Sequence, residues 1–176
     1  MGYGEKERRY AEPFANALVA DADFRTWVIR QTVFAKFAEN ARLLHEEMKQ
    51  RRSGVSQNWW RSHFTETCRC AGCSGKETDV LAIFETEAGF RFALHIEVKH
   101  PGDKFKNDGI QSKGYPIRAS CWTINPPPNV VCHHQATTVL LFSSLKSGEY
   151  ARHLAYFQTL ITFESLRKNF PHATVD

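Results

Sequence analysis

Thr78-Asp79-Val80-Leu81-Ala82-Ile83-Phe84-Glu85-Thr86, then Glu87-Ala88-Gly89, then Phe90-Arg91-Phe92-Ala93-Leu94-His95-Ile96-Glu97-Val98-Lys99 is the stretch on which the fold turns. In its second arm Phe90, Phe92, Leu94, Ile96 and Val98 alternate with Arg91, Ala93, His95, Glu97 and Lys99. A period of two marks a strand with one apolar and one polar face. Glu97 and Lys99 therefore project from the same side, their Cα atoms about 6–7 Å apart at ~3.3 Å of rise per residue. Residues 78–86 and 90–99 read as a hairpin.

The turn decides where Asp79 goes. A two-residue loop at Ala88-Gly89 sets Asp79 opposite Val98, on the wrong face, and Phe84 opposite Ala93. A three-residue loop, Glu87-Ala88-Gly89, gives Gly89 the left-handed position that this loop class requires. Thr86 then faces Phe90, Phe84 faces Phe92, Ala82 faces Leu94 and Val80 faces Ile96. Glu85 meets Arg91, an opposite-charge pair, and Asp79 meets Glu97. A one-residue slip reverses the faces, so burial selects the three-residue register. Two carboxylates and an ammonium then converge at one end of the hairpin. Carboxylates side by side repel and raise one another's pKa unless a cation lies between them. A hard divalent ion such as Mg²⁺ resolves that conflict through oxygen ligands. Such an ion also serves phosphodiester hydrolysis, with Lys99 holding or deprotonating the attacking water or stabilising developing charge.

Outward from the hairpin, Pro13 marks a first helical turn and Asp23 an N-cap. Phe24, Trp27, Val28, Phe34, Phe37, Ala38, Ala41, Leu44 and Met48 form one apolar helical stripe, closed at Arg51-Arg52-Ser53-Gly54. Residues 58–67 suggest a weak strand. A helix follows Gly109 to about Trp122, with Pro116 predicting a kink or break. Thr137 to Phe142 suits a buried central strand. Residues 148–157 read as helix, Leu160 to Phe163 as an edge strand, and the chain from Glu164 as a last short helix. The expectation is one α/β domain over residues 1–176, a central mixed β-sheet flanked by helices, with an N-terminal helical segment at about 11–52.

Hydrophobic residues make up 42% and charged residues 24%, the balance of a soluble globular protein. No run of 18 apolar residues suggests a membrane span. The first nine residues lack the apolar core of a signal peptide, so a cytoplasmic location is expected. The net charge of +4 allows a nucleic-acid partner without requiring one. A homodimer is left open as the assembly.

Thr78-Asp79-Val80, the Ala-Gly turn and His95-Ile96-Glu97-Val98-Lys99 together resemble the PD-(D/E)xK nuclease superfamily. Restriction endonucleases, Holliday-junction resolvases and repair exonucleases belong to it. The resemblance covers roughly residues 58 to 145. It implies an αβββαβ restriction-endonuclease-like core and Mg²⁺- or Mn²⁺-dependent hydrolysis of phosphodiester bonds, with DNA the expected substrate. It also implies metal ligands at Asp79, Glu97 and the Val98 carbonyl, with Lys99 catalytic. Many members add an acid on the first core helix, for which Glu12 is preferred over Glu39. Some carry Gln-x-x-x-Tyr after the lysine, which Gln111-Ser112-Lys113-Gly114-Tyr115 matches, adding Gln111 to the catalytic set. Thr78 stands where the motif name has proline, a tolerated departure.

Lys104, Lys106, Lys113, Tyr115 and Arg118 follow the motif and are candidates for nucleic-acid contact. Trp59 and Trp60, beside Arg61 and His63, are expected in the core. Cys68-x-Cys70-x-x-Cys73 is half of a zinc-site pattern, against which free thiols must be weighed. A fourth ligand is sought at Cys132, taken as first choice, or at His133, His134 or Cys121. The competing functional readings are a non-catalytic nucleic-acid-binding module and a zinc-stabilised interaction module on the same fold.

Overall fold

The computed structural model describes residues 4–52, 58–106 and 108–175. The chain enters through α1 (Glu5–Ala20) and α2 (Ala22–Arg30), then β1 (Arg42–Leu43) and α3 (His45–Arg51). Three strands follow, β2 (Arg61–Phe64), β3 (Glu77–Glu85) and β4 (Arg91–Lys99). After them come α4 (Ile110–Ile124), β5 (Gln135–Phe142), α5 (Ala151–Leu154), β6 (Thr159–Thr162) and α6 (Phe163–Asn169). The result is a single α/β domain with a six-stranded mixed sheet.

The strand order is β1-β3-β4-β5-β6, with β2 sharing the outer edge of β3. β3 and β4 are antiparallel, and β4, β5 and β6 are mutually parallel. The hairpin keeps the three-residue register. Glu85 pairs with Arg91, Phe84 with Phe92, Ala82 with Leu94 and Val80 with Ile96. Gly89 has φ 79°, and its amide donates to the Thr86 carbonyl at 2.9 Å. Arg91 Nε donates to Glu85 at 2.8 Å, and its outer nitrogens form a fork to Glu47 at 2.9 and 3.0 Å.

Both faces of β4 are covered, so its polar face is not a solvated one. Phe92, Leu94, Ile96 and Val98 enter the main core with Phe14, Leu18 and Val28 of the first two helices. On the other face, the register sets Glu97 beside Leu140 and Lys99 beside Phe142. Leu140 and Phe142 belong to a second core with Phe105, Tyr115, Tyr150 and Phe157. Glu97 and Lys99 thus lie in a buried layer between the sheet and α4.

The N-terminal helices differ from the sequence pattern. α1 starts two turns before Pro13, where Glu5 and Glu7 suit a helix N-terminus and Glu7 accepts the Gly4 amide at 3.1 Å. Asp21 rather than Asp23 caps α2, accepting from the Phe24 amide at 3.0 Å. The apolar stripe from Phe24 to Met48 is not one helix. Thr32 Oγ1 donates to the Ile29 carbonyl at 2.7 Å and accepts from the Phe34 amide at 3.1 Å. A side chain that takes over backbone hydrogen bonds in this way competes with the helix and ends it. The predicted helix end at Ser53-Gly54 falls outside the described residues. α4 runs through Pro116 without a break. Trp59 and Trp60 are core residues, as their sequence context suggests.

Candidate active site

The ladder between β3 and β4 pairs its last residues at Val80 and Ile96, one step short of Asp79 and Glu97. Beyond that point other groups take over. The Asp79 amide donates to Tyr115 Oη at 3.2 Å, and Tyr115 Oη lies 3.5 Å from the Ile96 carbonyl. The Asp79 carboxylate accepts the Val98 amide at 2.8 Å. The phenol of Tyr115 thus replaces a strand-to-strand bond, and the Asp79 side chain is fixed against the backbone of β4.

Glu97 Oε1 lies 3.0 Å from Lys99 Nζ and accepts from Gln111 Nε2 at 2.7 Å. Gln111 Oε1 accepts from the same Lys99 Nζ at 3.2 Å, so one amide bridges acid and ammonium. Lys99 completes its donor set with Asp103 at 3.0 Å and sits 4.8 Å from the centre of the Phe105 ring. Gln111 and Tyr115, one helical turn apart, both face this cluster from α4.

Burial, and after it the adjacent Glu97 charge, pushes the Asp79 carboxyl well above the usual carboxylate range. Burial, then Asp79 and Glu97, pushes the Tyr115 phenol up. For Lys99, burial acts downward, but Glu97 and Asp103 more than reverse it, and the net shift is upward. Lys99 is therefore a firmly protonated ammonium. Among the described residues, Glu97 Oε2 is buried and has no hydrogen-bond partner. That carboxylate oxygen, beside a second carboxyl whose charged form is disfavoured by burial and repulsion, is a donor set that suits a divalent cation.

Asp79, Gln111 and Tyr115 line a cavity of about 240 Å³ that also touches Glu7, Lys106 and Asp108. Glu7 is the α1 acid at the site. Burial raises its pKa, and the charges of Asp103 and Glu97 reach it. Glu12, the acid preferred from sequence, instead pairs with Arg8 at 3.2 Å on the outside of the helix. Five residues separate the two acids, which turns them to different sides of α1. Glu39 pairs with Arg30 at the surface. The signal for Glu7 was the acidic first turn of a helix that begins earlier than Pro13. Asp103 could have been found from the His100-Pro101-Gly102 turn, in which the Asp103 amide donates to the His100 carbonyl at 2.8 Å and returns the chain toward Lys99.

Two nucleic-acid candidates are corrected by burial. Arg118 is 1% exposed, and its guanidinium donates to Thr78 Oγ1, the Gly72 carbonyl and the Glu77 carbonyl at 2.8, 2.6 and 2.7 Å. Tyr115 is likewise 1% exposed. Both hold the β3 end against α4 and have no surface to offer a polymer. Lys104, Lys106 and Lys113 are exposed. Lys104 and Lys113 line a second cavity, of about 510 Å³, together with Arg152 and His153. The two cavities share Asp108.

The cysteine pattern is also corrected in one position. The Sγ atoms of Cys68, Cys70, Cys73 and Cys121 all lie within 4.8 Å of one another. Cys132 is exposed and outside this group. Cys121 lies far along the chain but on the face of α4 that packs on the 65–76 loop, a proximity invisible to spacing alone. Among the described residues no helix is long and apolar enough to cross a membrane. Comparison of the chain with family models, with curated proteins and with solved structures finds no match in any of the three.

Proposed function

We propose that the protein is a divalent-metal-dependent nuclease of the PD-(D/E)xK type, acting on DNA. The observation that carries this reading is the bridged set Glu97–Gln111–Lys99 beside Asp79, with Glu97 Oε2 left unpartnered in a buried layer. The order α1-β2-β3-β4-α4-β5, with α2, β1 and α3 inserted after α1, supports it, since it contains the αβββαβ order of the family and puts Glu7 on the first helix.

Asp79 and Glu97 would hold Mg²⁺ or Mn²⁺, with the Val98 carbonyl as the further ligand that the resemblance implies and Glu7 as a carboxylate at the cavity edge. When bound, the ion polarises the scissile phosphoryl group and lowers the pKa of a bound water. Asp79 would bind as the carboxylate, the form that burial and the neighbouring Glu97 charge disfavour while no cation is bound. The Lys99 ammonium is held by Glu97, Asp103 and Gln111, and its role is to stabilise negative charge as it develops. Gln111 keeps the Lys99 ammonium and the Glu97 carboxylate in fixed relation, which spares reorganisation during the reaction. Zinc enters this reading only as a structural ion at the cysteine cluster, separate from the carboxylates.

The test is a cleavage panel of single- and double-stranded DNA and RNA with Mg²⁺, Mn²⁺ or EDTA. Cleavage is expected with either ion and not in EDTA. Lys99→Arg, which keeps the charge but not the geometry, should lower turnover by about 10²-fold or more. A parent protein that cuts no substrate with either metal would overturn the reading in favour of a binding module.

A further inference from the structure

The loop between β2 and β3, residues 65–76, packs on α4 through an unusually close backbone contact. A Cβ on Gly72 would lie 2.7 Å from the Arg118 amide and 2.7 Å from the Gly114 carbonyl. Arg118 grips the same loop through the Gly72 carbonyl. Cys68, Cys70 and Cys73 come from this loop and Cys121 from α4, so their sulfurs meet across the seam.

We propose that these four cysteines form a tetrathiolate zinc site that clamps the 65–76 loop to α4. Four ligands at a Zn–S distance of about 2.3 Å stand about 3.8 Å apart at the corners of a tetrahedron. The Cys68 and Cys121 sulfurs are 3.7 Å apart, and all four lie within 4.8 Å. A disulfide would need a separation of about 2.05 Å. A cluster of several irons would hold the sulfurs at its outer corners, farther apart than ligands of one ion. The spacing therefore fits a single tetrahedral ion, for which an all-sulfur donor set favours zinc. The turn that brings Cys70 and Cys73 together is closed by the Cys73 and Ser74 amides, which both donate to the Cys70 carbonyl at 3.1 Å. No position is left for substrate or water once four thiolates are bound, so the site is structural and does no chemistry.

The clamp joins the segment leading into β3, which bears Asp79, to the helix bearing Gln111 and Tyr115. It goes beyond the nuclease reading and does not depend on it.

The test uses the whole purified chain, dialysed without chelator. Elemental analysis and native mass spectrometry should find one zinc per chain. The five cysteines should give one fast-reacting thiol, Cys132, in the native protein and all five after a strong chelator. Cobalt substitution should produce thiolate-to-metal charge-transfer absorption and tetrahedral ligand-field bands. Cys121→Ser should reduce chelator-resistant zinc to less than about a tenth of the parent value, and Cys132→Ser should leave it unchanged. If Cys121→Ser fails to fold, the thiol count and cobalt spectrum of the parent chain still decide. A zinc-free native chain, iron in place of zinc, a Cys68–Cys121 disulfide on peptide mapping, or full zinc retention in Cys121→Ser would each overturn the proposal.

Discussion

The Asp79 carboxyl is buried and faces Glu97, and both effects favour its protonated form. Its folded-state pKa is above the unfolded value, so the folded protein holds this proton more tightly. The resulting stability is present at low pH and is lost as pH rises through the folded pKa. Asp79→Asn keeps an acceptor for the Val98 amide and removes the charge. In EDTA it should raise stability at pH 8 by about 0.5–2 kcal/mol and flatten the pH dependence, while cleavage disappears. Urea unfolding at pH 5 and pH 8 checks this, and an Asp79→Asn protein less stable than the parent at pH 8 would refute the conflict. Added Mg²⁺ should stabilise the parent and not the variant. Lys99 illustrates a limit of sequence reasoning at this scale. As a strand-end residue on a polar face it reads as exposed, so Lys99→Ala should spare folding. With the side chain 4% exposed and bound to Glu97 and Asp103, truncation strands two carboxylates. Lys99→Ala should therefore cost about 3–5 kcal/mol, measured by the same unfolding assay.

Two glycines separate two kinds of constraint between elements. At Gly89 a Cβ meets nothing within 4 Å, but φ is 79°. Gly89→Ala should then cost about 1–2 kcal/mol, the penalty for left-handed backbone. At Gly72 the backbone is ordinary, but the added Cβ would run into the Arg118 amide and the Gly114 carbonyl at 2.7 Å. Gly72→Ala should push the 65–76 loop off α4 and destabilise by more than Gly89→Ala, which thermal unfolding of the two variants compares directly. The contrast also explains what the sequence made legible. The hairpin could be read because its turn, its period and its face assignments are all local and agree. Asp79, Glu97 and Lys99 came together because that register is local too, whereas Gln111 entered only through the family resemblance. The stripe from Phe24 to Met48 misled because Thr32 ends α2 through side-chain bonds that periodicity does not register. Gly114 packs on Gly72, but a Cβ there would meet Gly72 only at an ordinary 3.6 Å, so the close approach is demanded by Gly72. Cys121 and Glu7 join their sites through contacts between elements distant in sequence; the acidic first turn of α1 marks Glu7 as a helix-start residue but not as a neighbour of Asp79.

At the scale of the whole molecule, the site opens where two cavities share Asp108, and the larger one carries Lys104, Lys113 and Arg152. A modest net charge of +4 provides little general attraction for a polyanion, so on the proposed nuclease reading affinity for DNA would come from where the cations sit. These three cations line one cleft that leads to the Asp79 cavity, which suits a phosphate backbone passing the site. Each phosphate contact releases counterions and steepens the fall of affinity with salt, by about one unit in the log–log slope per contact. Lys104→Ala, Lys113→Ala and Arg152→Ala combined should weaken DNA binding and flatten that slope by about two to three units. All three side chains lie outside the buried Glu97–Gln111–Lys99 set, so turnover at saturating DNA should change little while KM rises. Binding measured by fluorescence anisotropy across a salt series, in Ca²⁺ to suppress cleavage, gives the slope. An unchanged slope and affinity in the triple variant would mean that DNA approaches by another face. A fall in turnover with unchanged KM would mean that these cations act on the reaction and not on the docking.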